Sequence, residues 1–274
     1  MNYREHPVPP SLGAVVETIW TLEACAGAMG DDVQPVVPDG RSEIVVHFGD
    51  AFERIDAGVP TVQAPILVAG QLESPLVLRP TGRIAVLGVR LRPAGAAAVL
   101  RQPQHELAGR TDDAREISKP LADWLTQVRE SARSPDDAVS MIRAGLPRLA
   151  DTGRLDRRVV RAADLIDSSP RWTVGGLADH VGLTPRQLER LFRNQVGLTP
   201  KRLLSIRRLQ RALQALELAE LSGGTRPGAM AALEGGYADQ AHFVRECRAL
   251  TGTTPGAYLL ERAQLTGLFV SKSR

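Results

Sequence analysis

Cysteine is scarce in this 274-residue chain, with only Cys25 and Cys247. Two thiols so far apart build neither a disulfide framework nor a thiolate metal cluster, and each reads as a small apolar residue. Histidine supplies no metal pattern either. The five at 6, 47, 105, 180 and 242 never fall within four residues of one another or beside a cysteine. No apolar run approaches the roughly 18–20 residues that span a bilayer. The opening MNYREHPVPP lacks the apolar centre of a signal peptide, so the expected location is cytoplasmic, with no membrane partner. No GxGxxG, P-loop or GxSxG motif occurs, which weighs against an enzyme and leaves no candidate catalytic residue, cofactor or metal.

What is present is ordinary in amount and uneven in placement. Hydrophobic residues make up 43% and charged residues 24%, as in a typical globular protein long enough for two domains. The net charge of +3 conceals an asymmetry. Residues 1–150 carry 15 basic against 19 acidic side chains, a net of −4, whereas residues 151–274 carry 19 against 12, a net of +7. Nearly all the basic residues are arginine, whose planar fork suits phosphate and guanine. The division suggests that only the second half meets nucleic acid.

Along the chain, residues 15–24, 42–50, 64–71 and 83–92 are short runs dense in Val, Ile and Leu, separated by MGDD, PDGRS, DAGVP and PTG. They read as strands of a small sandwich or barrel. PAGAAAVLRQ then places Pro93 at an expected first helical position. Ile117, Leu121, Trp124, Leu125 and Val128 recur at helical spacing, with an irregularity near Pro120. SARSPDD reads as a loop before a helix to about Leu149, and ADTGR (150–154) as the domain boundary. From Leu155 on, everything reads helical. Thr173 and Thr184 are expected N-caps, with Pro185 at the first helical position, and the Thr-Pro start recurs at Thr199-Pro200 and Thr254-Pro255. The expected class is α+β: a β-rich sensor or dimerisation domain over 1–150 and an all-α domain over 151–274.

The helical half repeats itself. VGLTPRQLERLFRNQVGLTP (181–200) returns as GGYADQAHFVRECRALTGTTP (235–255) at a constant offset of 55 residues, Leu188 on Phe243, Arg190 on Arg245 and Pro200 on Pro255. A short helix, a glycine-bearing turn and a second helix form the helix-turn-helix pattern, whose second helix enters the major groove. In the first copy Leu188, Leu191 and Phe192 form an inward stripe, and Arg186, Arg190 and Arg193 an outward one, flanked by Gln187 and Glu189. In the second, Phe243, Cys247 and Leu250 face in, while Ala241, Arg245 and Arg248 face out beside Gln240 and His242. A connecting helix of about 20 residues spans roughly 30 Å, close to one turn of duplex.

On these motifs, residues from about 155 to 265 resemble the DNA-binding domain of the AraC/XylS family of bacterial transcription regulators. The resemblance implies seven helices, two helix-turn-helix units on a linker helix, and promoter binding as activator or repressor, with RNA polymerase as partner of an activator. It implies DNA contacts from Arg186, Gln187, Glu189 and Arg190 in the first unit, and from Gln240, Ala241, His242 and Arg245 in the second. Cys247 stands where the family usually has a large aromatic, and the second unit's first helix carries Gly228 and the pair Gly235-Gly236. The second unit is therefore expected to be the less stable and less discriminating. DNA-alkyl repair proteins also carry such a domain, but need a four-cysteine zinc site that one cysteine in the first 150 residues cannot build.

The segment up to about 130 is similar to the small N-terminal domain of a group of AraC-like regulators of unassigned effector, which implies sensing of a small molecule or homodimerisation. His47, Trp20 and Arg90 are the candidate effector-binding residues. His47 and Trp20 read first as core and Arg90 as a solvated strand residue, with the effector role the sharper reading. Two alternatives stay open: a regulator without small effector, controlled by a protein partner or by abundance, and an enzyme fused to a DNA-binding module.

Overall fold

A computed structural model describes residues 2–27, 33–221 and 227–260. The expected turn MGDD (29–32) and most of SGGTRPG (222–228) lie outside the described residues.

The β-rich part has ten strands: β1 (Asn2–His6), β2 (Val16–Ala24), β3 (Gln34–Val36), β4 (Ser42–His47), β5 (Glu53–Asp56), β6 (Val59–Val62), β7 (Ile66–Ala69), β8 (Leu76–Arg79), β9 (Ile84–Leu91) and β10 (Thr111–Asp113). They form a six-stranded sheet ordered β1-β2-β9-β4-β7-β10 and a four-stranded sheet ordered β3-β8-β5-β6, with antiparallel pairing throughout. The four apolar runs of the sequence are β2, β4, β7 and β9, which sit together inside the larger sheet. The other six strands are short, and β3 and β6 carry Pro35 and Pro60. Such segments lack the apolar density that marks a strand.

The core is not the one a sandwich would have. The larger sheet packs one face on helices α1 (Ala96–Leu100), α2 (Ala114–Ile117), α3 (Lys119–Ser131) and α4 (Pro135–Leu149), burying Ile19, Ile44, Leu87 and Leu91 against Leu125 and Ile142. Only a smaller cluster, including Leu22, Phe52, Ile84 and Val86, lies on its other face. Helix α1 begins at Ala96, not at Pro93, and stops where Arg101 turns left-handed at φ 59°. The irregularity expected near Pro120 is a break between α2 and α3 at Ser118, whose backbone is extended (φ −153°, ψ 99°). Ser118 takes the extended backbone of an N-cap, and Pro120 sits in the first turn of α3, where its missing N–H costs nothing.

The helical part comprises α5 (Arg157–Ser168), α6 (Val174–His180), α7 (Pro185–Gln195), α8 (Pro200–Leu221), α9 (Pro227–Glu234), α10 (Gln240–Thr251) and a further helical stretch over 255–260. One core joins them through Ile166, Leu177, Phe192, Leu209, Phe243 and Leu250. The three Thr-Pro starts are all capped: Thr184, Thr199 and Thr254 accept from the backbone N–H three residues on, at 3.3, 3.1 and 3.2 Å.

The two parts grip each other through the loop PDGR (38–41) and helix α8. Gln210 donates to the Pro38 carbonyl at 2.6 Å, and Arg207 to the Asp39 carbonyl at 3.1 Å. Gly40 adopts φ 77°, and a Cβ there would lie 2.6 Å from Leu203 Cδ1, so only glycine lets the loop approach the helix this closely. Arg41 is 5% exposed and pairs with both Glu17 and Asp167. Asp167 in turn pairs with Arg207 at 2.7 Å. Burial alone would lower the Arg41 pKa, but Asp167 and Glu17 outweigh it and hold the cation charged.

Candidate nucleic-acid interface

The first reading head is built from α6, a turn and α7. Thr173 caps α6 by accepting from Gly176 N at 3.1 Å, and Gly182 makes the turn at φ 68°. Leu188 and Phe192 are fully buried and Leu191 half-buried, so the opposite face must meet solvent. There Arg186, Glu189, Arg190 and Arg193 are exposed. Gln187 is exposed too, but its side chain is occupied. Its Oε1 accepts from Thr184 N at 2.9 Å while its own N–H reaches Thr184 Oγ1, a reciprocal capping box. Gln187 therefore fixes the start of the helix that presents its neighbours.

The second head repeats the plan with α9 and α10. Asp239 caps α10 by accepting from His242 N at 2.6 Å. Phe243, Cys247 and Leu250 are buried, and Gln240, Ala241, Arg245 and Arg248 are exposed. The glycines that sequence reading counts as a weakness have a packing reason. A Cβ on Gly235 would lie 2.8 Å from Ala212 Cβ of α8, so the turn rests directly on the linker helix. A Cβ on Gly228 would meet Gln240 Nε2 at 2.6 Å, which places the Gln240 side chain against α9.

His242 is half-buried and belongs to a cluster that sequence reading missed. Its ring meets Tyr237 edge-on at 5.2 Å, and its Nε2 lies 4.0 Å from Glu246. Tyr237 is 5% exposed, and the Arg208 guanidinium of α8 stands 5.7 Å over its ring. Arg208 also approaches Glu246 at 3.5 Å. Burial, reinforced by the Glu246 charge, raises the Tyr237 pKa, so the hydroxyl stays protonated. Glu246 thus ties the second recognition helix to the linker helix. Nothing in spacing pairs position 208 with 246. For Glu246→Ala the expected result is a loss of DNA affinity of roughly five- to tenfold, with footprint protection weakened over one half of the site only. Quantitative footprinting checks it, and uniform weakening would assign Glu246 to general stability.

In the β-rich part, Trp20, Arg90 and His47 share the face of the larger sheet turned away from the helices. Glu43 gathers two of them: Arg90 Nε pairs with its carboxylate at 2.7 Å, and Trp20 Nε1 donates to it at 3.4 Å. Trp20 lies across Gly88, where a Cβ would be 2.0 Å from the indole. Asp39, in the loop that grips α8, is 3.7 Å from Arg90. His47 stands apart, 1% exposed and 5.7 Å from the Phe52 ring. Burial, reinforced by the nearby Arg129 charge, lowers its pKa from 6.5 to about 4. A histidine kept neutral in the fold and free to protonate when unfolded stabilises above its unfolded pKa, and that stability is lost as pH falls from about 6.5 through 4. The expected acid loss is on the order of 3 kcal/mol. Urea titrations from pH 7 to 4 should show a shallower pH slope for His47→Gln.

A cavity of about 270 Å³ opens between the end of the larger sheet and the α3–α4 connection, lined by Arg83, Arg129, Arg133, Glu23, Glu130 and Phe48 among others. None of the three predicted effector residues lines it, although Arg129 donates to the His47 carbonyl at 2.6 Å. Among the described residues no group of three or more His, Cys, Asp or Glu side chains is placed to hold a metal, and no helix is long and apolar enough to cross a membrane.

Two helix-turn-helix units, each with a capped recognition helix and joined by one long helix, define the fold of a DNA-binding regulator. Residues 177–261 match the family described as a helix-turn-helix domain, and residues 4–113 match a domain of unknown function (DUF6597). The helical part thus carries a helix-turn-helix domain, and most of the β-rich part a domain whose function is not assigned. No curated protein matches it. Among solved structures, the C-terminal domain of AraT, a response regulator from Geobacillus stearothermophilus, is similar at 23% identity and TM-score 0.35, over 44% of this chain and 93% of that one. A DNA-binding transcriptional dual regulator from Escherichia coli K-12 is similar at 26% identity and TM-score 0.33, over 39% and 93%. Wild-type ToxT from Vibrio cholerae bound to an unsaturated fatty acid is similar at 13% identity and TM-score 0.44, over 94% and 97%.

Proposed function

We propose that this protein is a sequence-specific transcription regulator that reads two successive major grooves and whose DNA affinity is set by its N-terminal domain. The observation that carries the reading is the position of α8. Both recognition helices pack on it, and the loop PDGR of the N-terminal domain grips the same helix. Arg186, Glu189, Arg190 and Arg193 read the first groove, and Ala241, His242 and Arg245 the second. Gln187 and Gln240 act by positioning, since one caps α7 and the other lies against α9. Arginines displace counterions from phosphate and give affinity, and the few side chains at the helix starts discriminate bases.

The chain divides into domains at about residue 150, between α4 and α5. The N-terminal domain takes a small effector, and its binding shifts the grip on α8. Trp20, Arg90 and Glu43 connect the sheet face to Asp39 and so to that grip. The protein works in the cytoplasm on promoter DNA, engages RNA polymerase where it activates, and has no catalytic role. Selection of bound sites from a random duplex library with the full-length protein tests the core of this. Two conserved blocks about ten base pairs apart are expected. Enrichment of no motif at near-physiological salt would overturn it.

The exposed edge strand β6 favours a second reading for the N-terminal domain, control by self-association rather than by a small molecule, since all four of its residues are exposed. Sedimentation of the wild type and of Val62→Lys decides: a dimer that the substitution converts to monomer assigns the edge to dimerisation.

A further inference from the structure

The cavity between the end of the larger sheet and the α3–α4 connection has a charge layout that the regulator reading does not use. Two of its arginines are anchored by single bonds to backbone carbonyls of the same strand end. Arg129 Nε donates to His47 O at 2.6 Å, and Arg83 Nη2 to Phe48 O at 3.1 Å. A guanidinium has five N–H donors, so each keeps most of its capacity while its position is fixed. Arg133 adds a third guanidinium, and Ser134, the cap of the fifteen-residue helix α4, lies at the rim. Against these stand two carboxylates. Glu23 is already shared with Arg4 at 3.7 Å, and Glu130 is exposed at the mouth. Phe48, Ala132 and Pro135 supply the apolar part of the wall.

Three cations and two anions in one cavity suit a ligand with both signs of charge. A dianion would meet Glu23 and Glu130 as repulsion, and an amine alone would meet the three arginines. Bidentate guanidinium contacts favour a planar carboxylate. A volume of about 270 Å³ is just below the range of drug-sized sites and fits a single small metabolite. We propose that this cavity binds a small zwitterion of the α-amino acid type, its carboxylate on Arg83, Arg129 and Arg133 and its ammonium on Glu130 and Glu23. The proposal deepens the effector reading by naming a ligand class and a place, but binding can be measured without DNA.

The test is thermal melting and calorimetric titration of the full-length protein with four sets of probes: the common L-amino acids, their des-amino carboxylates, simple primary amines and inorganic phosphate. At least one amino acid should raise the melting temperature, because a ligand bound only by the folded state stabilises it. The matching des-amino acid should bind about tenfold more weakly or worse, as should the amino acid to Arg133→Ala and to Glu130→Gln. Among the described residues neither substituted side chain holds a bond, and the unliganded melting temperature of each variant reports on folding separately. Binding of none of the probes would overturn the proposal. So would equal binding of des-amino acid or phosphate, or an amino-acid affinity that both variants leave unchanged. An amino acid that binds as expected but leaves DNA affinity unaltered supports the cavity assignment and overturns the effector reading alone.

Discussion

Asp167→Ala is expected to loosen the N-terminal domain from the DNA-binding domain and to cost about 3 kcal/mol of stability. The reason is the company Asp167 keeps. Its two carboxylate oxygens are divided, one 2.7 Å from Arg41 Nη2 and the other 2.7 Å from Arg207 Nε. The Arg41 side chain is 4% exposed, so with Asp167 gone its charge keeps one ion pair, to Glu17, helped only by the Gly40 carbonyl and the nearby Asp39. Losing one partner of a buried ion network costs far more than the network contributes as a whole, because the remaining charge is stranded. Arg211 also reaches the Asp167 carbonyl, a bond the substitution leaves in place, so α8 itself should stay folded. Urea unfolding should therefore show a lowered midpoint and a single transition separating into two. Asp167→Asn, which keeps an acceptor, should lose less. An unchanged single transition would mean that the grip on α8 does not couple the domains, and the proposed route from effector to DNA would fall with it.

The second large effect is on DNA. Arg190→Ala and Arg245→Ala should each reduce affinity about five- to 150-fold, the equivalent of one lost base or phosphate contact of roughly 1–3 kcal/mol. The two losses should map to different places. Arg190 lies on α7 and Arg245 on α10, and the 22-residue α8 between them is about 33 Å long at 1.5 Å per residue, close to one turn of duplex. Hydroxyl-radical footprints should lose protection in one block for Arg190→Ala and in another, about one turn away, for Arg245→Ala. With no shared partners the effects should add in the double variant. Salt titration separates the kinds of contact, since a lost phosphate contact lowers the salt slope by about one. Losses at the same bases would contradict reading by two heads.

Much of the helical half was legible because its signals are local. A threonine followed by proline caps a helix wherever it stands, and Leu188, Leu191 and Phe192 mark a face at any depth of burial. The role of glycine in the second unit was not. Gly235 looks like a poor helix former until α8 is seen beside it, and its cost is then offset by an approach to Ala212 that a Cβ would forbid. In the first half, the dense apolar strands β2, β4, β7 and β9 were readable, whereas β1, β3, β5, β6, β8 and β10 were not. Apart from the apolar Leu-Val-Leu of β8, their residues carry no strand pattern of their own, and they are strands because a neighbour's backbone lies within hydrogen-bonding reach.

By itself the sequence determined the duplicated helix-turn-helix units, their caps and the outward arginines, since each depends on residues within one or two helical turns or on a repeat at fixed offset. Only the tertiary structure decided that Gln187 serves the cap, that Glu246 answers to Arg208, that Arg41 and Asp167 lock the two halves together, and that three arginines share a cavity with two glutamates. Those are pairings across 38 to 126 residues of chain or between separate strand ends. Gln187 is the exception in distance, and there two local roles were open to one side chain until its geometry was known. Charge and hydrogen bonding act over a few ångströms, and the sequence does not say which distant residues the fold will bring that close.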